Sequence, residues 1–125
     1  MDVYPTLTYR DVRLALGWIE HAFGLEPRVF AAPGADTIDH AALMHGDGMV
    51  LVESERPAEL HGSHTGTGWV YVAVDDIDSC DRRAIEAGAE VLNEPHGAAD
   101  SAQRGFSARD LEGNLWTFGT MRPRR

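Results

Sequence analysis

The feature that most constrains this chain is an internal repeat. Asp76-Ile77 stands 65 residues after Asp11-Val12, Gly88 stands 64 after Gly24, and Gly113 stands 65 after Gly48. A repeat of this length marks one supersecondary unit used twice. The second copy is the easier to read. Val70, Val72 and Val74 alternate with Trp69, Tyr71 and Ala73, which predicts a strand covered on both faces. Asp75 or Asp76 can cap a following helix, because a carboxylate accepts the free N–H groups of a first turn. Ile77, Cys80, Ala84 and Ala87 then recur at helical spacing, and Gly88 supplies a residue that tolerates positive φ just past the end. Glu90 to Asn93 predicts a short strand that stops before Pro95.

The first copy follows the same plan. Tyr4 to Arg10 alternates as a strand, and Asp11 caps a helix whose stripe is Val12, Ala15, Leu16, Ile19, Ala22 and Phe23, widened by Leu14 and Trp18. Glu26 to Ala31 and Thr37 to His45 predict strands, with a turn-forming cluster between them. Gly46-Asp47-Gly48 is a tight hairpin signal before a strand from Met49 to Glu53. Ser54 to Gly68 lacks periodicity and reads as a linker, and His96 to Ser101 as a loop. Gln103 to Arg109 and Asn114 to Thr120 predict the last two strands, around a turn at Asp110 to Gly113.

Both copies therefore order strand, helix, strand, strand, strand. Such a unit cannot cover its own sheet, so two should pair. The expected fold class is α+β, with two βαβββ modules forming a curved mixed sheet around a cavity and helices on the outer face. The expected organisation is one domain over residues 1–125: module one at about 1–55, a linker at about 56–67 and module two at about 68–121.

The net charge of −9 argues against a nucleic-acid surface, whose affinity rests on neutralising phosphates. The basic tail from Met121 to Arg125 is short and reads as a solvated end. No apolar run is long enough to cross a bilayer, and the first residues lack a secretory pattern. Cys80 is the only cysteine, so neither an intrachain disulfide nor a cysteine-rich metal site can form. A cytoplasmic protein is the expectation.

Three stretches carry a resemblance to a known family. They are Tyr9-Arg10-Asp11 running to Phe23-Gly24, Val72 to Ile77 running to Ala87-Gly88-Ala89-Glu90, and Arg104 running to Gly119. His40-Ala41-Ala42-Leu43 and Gly46-Asp47-Gly48 extend it over nearly the whole chain. The chain resembles the vicinal oxygen chelate superfamily, in the branch labelled glyoxalase/bleomycin resistance protein/dioxygenase. The resemblance implies a homodimer and a small-molecule ligand. In relatives that hold a metal, one ligand stands on each of four inner strands. Carried over by strand spacing, those positions fall at Tyr4, at Val50 (or Glu53 if the register slips), at Trp69 and at Thr117. Tyrosine, valine, tryptophan and threonine do not make a divalent site. The implied function is metal-free, cofactor-free binding of a small aromatic or amphipathic molecule, as in bleomycin-resistance-type proteins. The alternative is a metal-dependent glyoxalase-type lyase, isomerase or dioxygenase, with a divalent metal held through His40, Glu53 or the loop histidines His61 and His64.

The candidate ligand-binding residues are Tyr4, Thr6, His40, Val50, Trp69, Tyr71, Arg104, Ser107 and Thr117. Aromatic walls with polar handles suit planar or amphipathic ligands. His40 could act as a base or donor, or bond to backbone at a strand end. An inward Arg104 could hold an anion, or form a salt bridge at the rim. Trp18 lies on the helix and Trp116 has the opposite parity from Thr117, so both are expected in the core or an interface. No residue set identifies a catalytic nucleophile.

Overall fold

A computed structural model of the chain describes residues 2–30, 38–55, 64–95 and 104–123. Module one contributes β1 (Thr6–Tyr9), α1 (Val12–Phe23), β2 (Glu26–Val29), β3 (His40–His45) and β4 (Gly48–Ser54). Module two contributes β5 (Trp69–Ala73), α2 (Ile77–Glu86), β6 (Glu90–Val91), β7 (Gly105–Arg109) and β8 (Leu115–Gly119). The fold is α+β, two βαβββ modules in the order read from the repeat. Most strands are a little shorter than their patterns predict, and β1 begins at Thr6 rather than Tyr4.

The helices start and stop where the chemistry requires. The Asp11 carboxylate accepts the Leu14 N–H at 3.0 Å, and Asp76, not Asp75, accepts that of Ser79 at 3.0 Å. Gly24 ends α1 at φ 77, in the left-handed region. The six residues of the predicted α1 stripe are all buried, but Leu14 is 60% exposed and lies off it.

The strands form two four-stranded sheets, ordered β1-β4-β3-β2 and β5-β8-β7-β6, rather than one continuous ladder. In each, the first and last strands of the module pair in parallel and the rest antiparallel. The outer edge at β2 carries Pro27, whose ring nitrogen replaces an outward N–H and discourages pairing with another chain.

Side chains join the modules. Leu7 packs so closely on Gly68 that a Cβ there would lie 2.2 Å from Leu7 Cδ2. Phe23 of α1 reaches Trp116 and Phe118 of β8, with ring centroids 5.3 and 4.9 Å away. Arg83 of α2 donates to the His21 and Glu20 carbonyls at 2.9 and 3.4 Å, satisfying the open end of α1. The result is one core shared by both modules.

A buried polar network closes one end of the seam. The Tyr9 phenol donates to Asp110 Oδ2, and Trp116 Nε1 donates to the same oxygen at 2.9 Å. Asp110 Oδ1 accepts the backbone N–H groups of Glu112 and Asn114 at 3.0 and 3.1 Å. Asn114 accepts from Gly68 N at 2.8 Å and donates to the Thr8 carbonyl at 3.0 Å. Burial pushes the Tyr9 phenol well above its ordinary pKa, and the adjacent Asp110 charge adds to the shift.

The repeat is not uniform. In module one Met44 pairs with Met49 across the β3–β4 turn, whereas in module two Arg109 pairs with Leu115. One extra residue sits in the second turn. Equivalent residues are therefore 65 apart in β1 and β5 but 66 apart in β4 and β8.

Candidate ligand-binding face

Each sheet has one face under the helices and one bare face. Alternation assigns the side chains: Leu7, Val52, Val70, Val72, Phe106, Trp116 and Phe118 join the core, and their neighbours turn the other way. On module one, cross-strand register sets His40 beside Glu53 and Glu53 beside Thr8; Ala42, Leu51 and Thr6 form the next row. On module two, Tyr71 pairs with Thr117 and Thr117 with Ser107.

The bare face of module two is built around Trp69. Its indole is 70% exposed, yet Nε1 donates to Thr117 Oγ1 at 2.8 Å. Thr117 Oγ1 in turn lies 2.8 Å from Ser107 Oγ, and the Ser107 N–H is held by Asn93 Oδ1 at 3.1 Å. A chain of hydroxyls and a backbone anchor thus fixes the orientation of an exposed ring. Tyr71, 39% exposed, lies over Gly119 and donates its hydroxyl to the Met121 carbonyl. Gly119 pairs with Gly105 across the ladder, and a Cβ at Gly119 would come within 2.5 Å of the Tyr71 hydroxyl. Gly119 lets that ring lie close to the sheet, while a Cβ at the facing Gly105 would meet the Phe118 carbonyl oxygen at 2.8 Å. Tyr71, Thr117, Gly105 and Gly119 border a cavity of about 290 Å³.

The remaining candidates fall in different places. Thr6 and His40 are exposed on the bare face of module one. Tyr4 is 47% exposed before β1, with its hydroxyl 3.4 Å from Asp2. Val50 does not face inward. It is 7% exposed and packs in the core, because the inward partner of Thr6 is Leu51. Arg104 does not turn inward to a ligand but takes its other expected role, a salt bridge: it has the parity of Phe106 and Ala108 and turns to the helix side, where it grips Asp78 through two nitrogens at 3.1 and 3.2 Å. That contact holds the Asp78 carboxyl below its ordinary pKa. Trp116 is fully buried and Trp18 packs against the core. His64 is exposed, and His61 lies outside the described residues. Cys80 is half-buried on α2, and burial raises its thiol pKa.

The donor set does not suit a divalent metal. His40 and Glu53 are neighbours on adjacent strands, but the other two carried-over positions are Trp69 and Thr117, whose side chains bond to each other. Among the described residues no three His, Cys, Asp or Glu side chains come together as a metal-holding group. No helix among them is long and apolar enough to cross a membrane.

Sequence reasoning missed the Gly105–Gly119 floor and the Asp110 network. Glycine inside a predicted strand was the available signal for the first. Asp110 looked like an ordinary turn residue, and nothing local announces that its carboxylate is buried.

The comparisons agree with this architecture. The profile of the Glyoxalase/Bleomycin resistance protein/Dioxygenase superfamily matches residues 3–118. No curated protein matches the sequence. Among solved structures, TioX from Micromonospora sp. ML1 is 30% identical, with a TM-score of 0.75, 100% of this chain covered and 99% of that one. A superfamily member from Sphaerobacter thermophilus is 18% identical, with a TM-score of 0.70 and coverages of 95% and 97%. A glyoxalase/bleomycin resistance protein from Catenulispora acidiphila is 22% identical, with a TM-score of 0.65 and coverages of 95% and 96%.

Proposed function

Since the chain belongs to the glyoxalase/bleomycin resistance protein/dioxygenase superfamily, we propose that it binds a small aromatic or amphipathic molecule on the bare face of module two, without a metal. One observation carries this reading: Trp69 is 70% exposed but held in one orientation by Thr117. A large ring kept in water and fixed in place is a stacking surface whose ordering cost is already met. A flat ligand covering half of the exposed indole would remove about 80 Å² of apolar surface and contribute about 2 kcal/mol. Thr117, Ser107 and the Tyr71 ring supply the polar and aromatic surroundings.

A metal-dependent lyase, isomerase or dioxygenase would need at least one more donor beside His40 and Glu53. The metal-free reading follows from that shortage. We also read the chain as one domain that pairs with a second copy. Val3, Tyr4 and Trp69, exposed at 85%, 47% and 70%, supply apolar surface for such a contact. The lone half-buried Cys80 suits a reducing, cytoplasmic compartment.

The test is titration of the purified protein with a panel of planar aromatic compounds, read by thermal shift and tryptophan emission. At least one compound should bind, and Trp69→Ala should weaken it tenfold or more while leaving the fold intact. Unchanged binding in Trp69→Ala refutes the assignment of the face. Stoichiometric metal in the purified protein, retained through dialysis and lost on replacing His40 or Glu53, refutes the metal-free reading. Sedimentation as a monomer at high concentration refutes the homodimer.

A further inference from the structure

The two ends of the seam between the modules are equivalent by the repeat but filled differently. At one end Tyr9 and Trp116 both reach Asp110. At the other end Val74 stands in the place of Tyr9 and His45 in the place of Asp110, each 65 residues away as Asp76 is from Asp11. Val50 stands in the place of Trp116, because Val50 faces Leu43 as Trp116 faces Ala108. The backbone tie is kept at both ends. Asn114 bonds the Thr8 carbonyl at 3.0 Å, and His45 Nε2 lies 2.9 Å from the equivalent carbonyl of Ala73. The spacing between modules is thus held alike, while two aromatic rings at one end are replaced by two valines at the other.

The open end has a cleft of about 570 Å³, within the range of small-molecule sites. Its apolar wall includes Leu43, Val50, Val70 and Val72, and His45 is its polar partner. A recess of about 230 Å³ that also borders His45 reaches Val74. We infer that this cleft is a second binding site, separate from the Trp69 face, for a neutral aromatic molecule the size of a tyrosine or tryptophan side chain. The occupant is identified by what fills the equivalent end: a phenol and an indole, each with one hydrogen bond to the group at the position of His45. Neutrality follows from the charges nearby. Arg122 at the mouth is paired with Asp75 at 3.0 Å, and Asp47 would repel an anion. Tyr71, Ala73 and Met49 on its rim have the parity of the bare face; Leu43, Val50, Val70 and Val72 have that of the core.

The probes are 4-methylphenol and 3-methylindole, titrated into isotopically labelled full-length protein and followed by NMR. Amide shifts should concentrate at His45 to Gly48 and Tyr71 to Ala73, with intermolecular NOEs from the probe to the Val50 and Val72 methyls. Val50→Trp, which fills the cleft as Trp116 fills its counterpart, should weaken 4-methylphenol at least tenfold. The shift pattern should persist in Trp69→Ala, which separates this site from the proposed ligand face. The inference fails if neither probe shifts these amides at its solubility limit, or if the NOEs lead to Thr117 and Ser107 instead. It also fails if the same amides shift with protein concentration alone, since a second copy then fills the cleft. Should Val50→Trp not fold, the NOEs on the unaltered protein decide the matter.

Discussion

Replacing Tyr9 with phenylalanine tests how the modules are locked together. The phenol is fully buried and donates to a carboxylate that is itself only 7% exposed. The variant removes one hydrogen bond to a charged acceptor, a group of interactions each worth about 1.5–3 kcal/mol. Asp110 keeps its bonds from Trp116, Glu112 and Asn114, so the loss should stay within that range rather than exceed it. Near neutral pH the variant should lose about 1.5–3 kcal/mol in urea unfolding, or roughly 6–12 °C in melting temperature at about 4 °C per kcal/mol. The pH dependence gives an independent check. The folded pKa of Tyr9 is raised, so its protonated form is favoured by folding. That stabilisation is fully present below the unfolded value of about 10 and is lost as pH rises above it, because the unfolded chain releases a proton that the folded chain holds. Each pH unit above about 10 should cost the wild type up to about 1.4 kcal/mol more than the phenylalanine variant. The stability gap should therefore narrow by about 1 kcal/mol between pH 10 and 11, because the unfolded phenol is already half ionised at pH 10. Equal stability near neutrality, or a gap that stays constant into the alkaline range, would refute the network as the lock.

Two further outcomes follow from the geometry. Gly119→Ala would place a Cβ 2.5 Å from the Tyr71 hydroxyl and 2.9 Å from its ring, so the ring must swing off the sheet. Because Tyr71 is partly exposed, stability should fall by less than about 1 kcal/mol, while aromatic ligands that titrate the Trp69 face should bind severalfold more weakly by thermal shift. The Asp78–Arg104 contact should be present above the unfolded aspartate pKa of about 4 and lost as pH falls through the depressed folded value. Carboxyl carbon shifts of Asp78 followed by NMR should titrate below the ordinary aspartate value of about 4, and Arg104→Gln should raise the midpoint toward it.

Much of the fold was legible because it rests on local rules. Asp11 and Asp76 cap helices where the repeat puts them, and Gly24 and Gly88 take positive φ just past the ends. Val70 and Val72 turn to the core as the alternation requires, but Trp69 and Tyr71 are exposed, so the strand expected to be covered on both faces is bare on one. What escaped depends on register and distance. Val50 was expected to face inward, and it packs in the core instead. Val50 was carried over by strand spacing, whereas the ladder register sets Leu51 beside Thr6 as it sets Thr117 beside Tyr71. A shift of one residue turns a strand over, and the inward residue is Leu51. Parity also decides between the two roles open to Arg104: Asp78 on α2 lies on the face it shares with Phe106, so it forms the salt bridge and does not hold a ligand inward.

The two ends of the seam are closed differently. In module two the Asp110 carboxylate meets two ring donors and two backbone N–H groups. In module one His45 holds the equivalent position, with valines opposite, and the cleft remains. An even filling of both ends would make the molecule more nearly symmetric and more tightly packed. The chain instead concentrates its aromatic and polar closure at one end. The other end is held by the His45 tie to the Ala73 carbonyl without aromatic closure, and the bare face takes no part in either. Trp69 can then stay in water because the fold does not require its burial. The division predicts that substitutions at Tyr9, Asp110 and Trp116 act chiefly on stability, while substitutions at Trp69 and Thr117 act chiefly on binding.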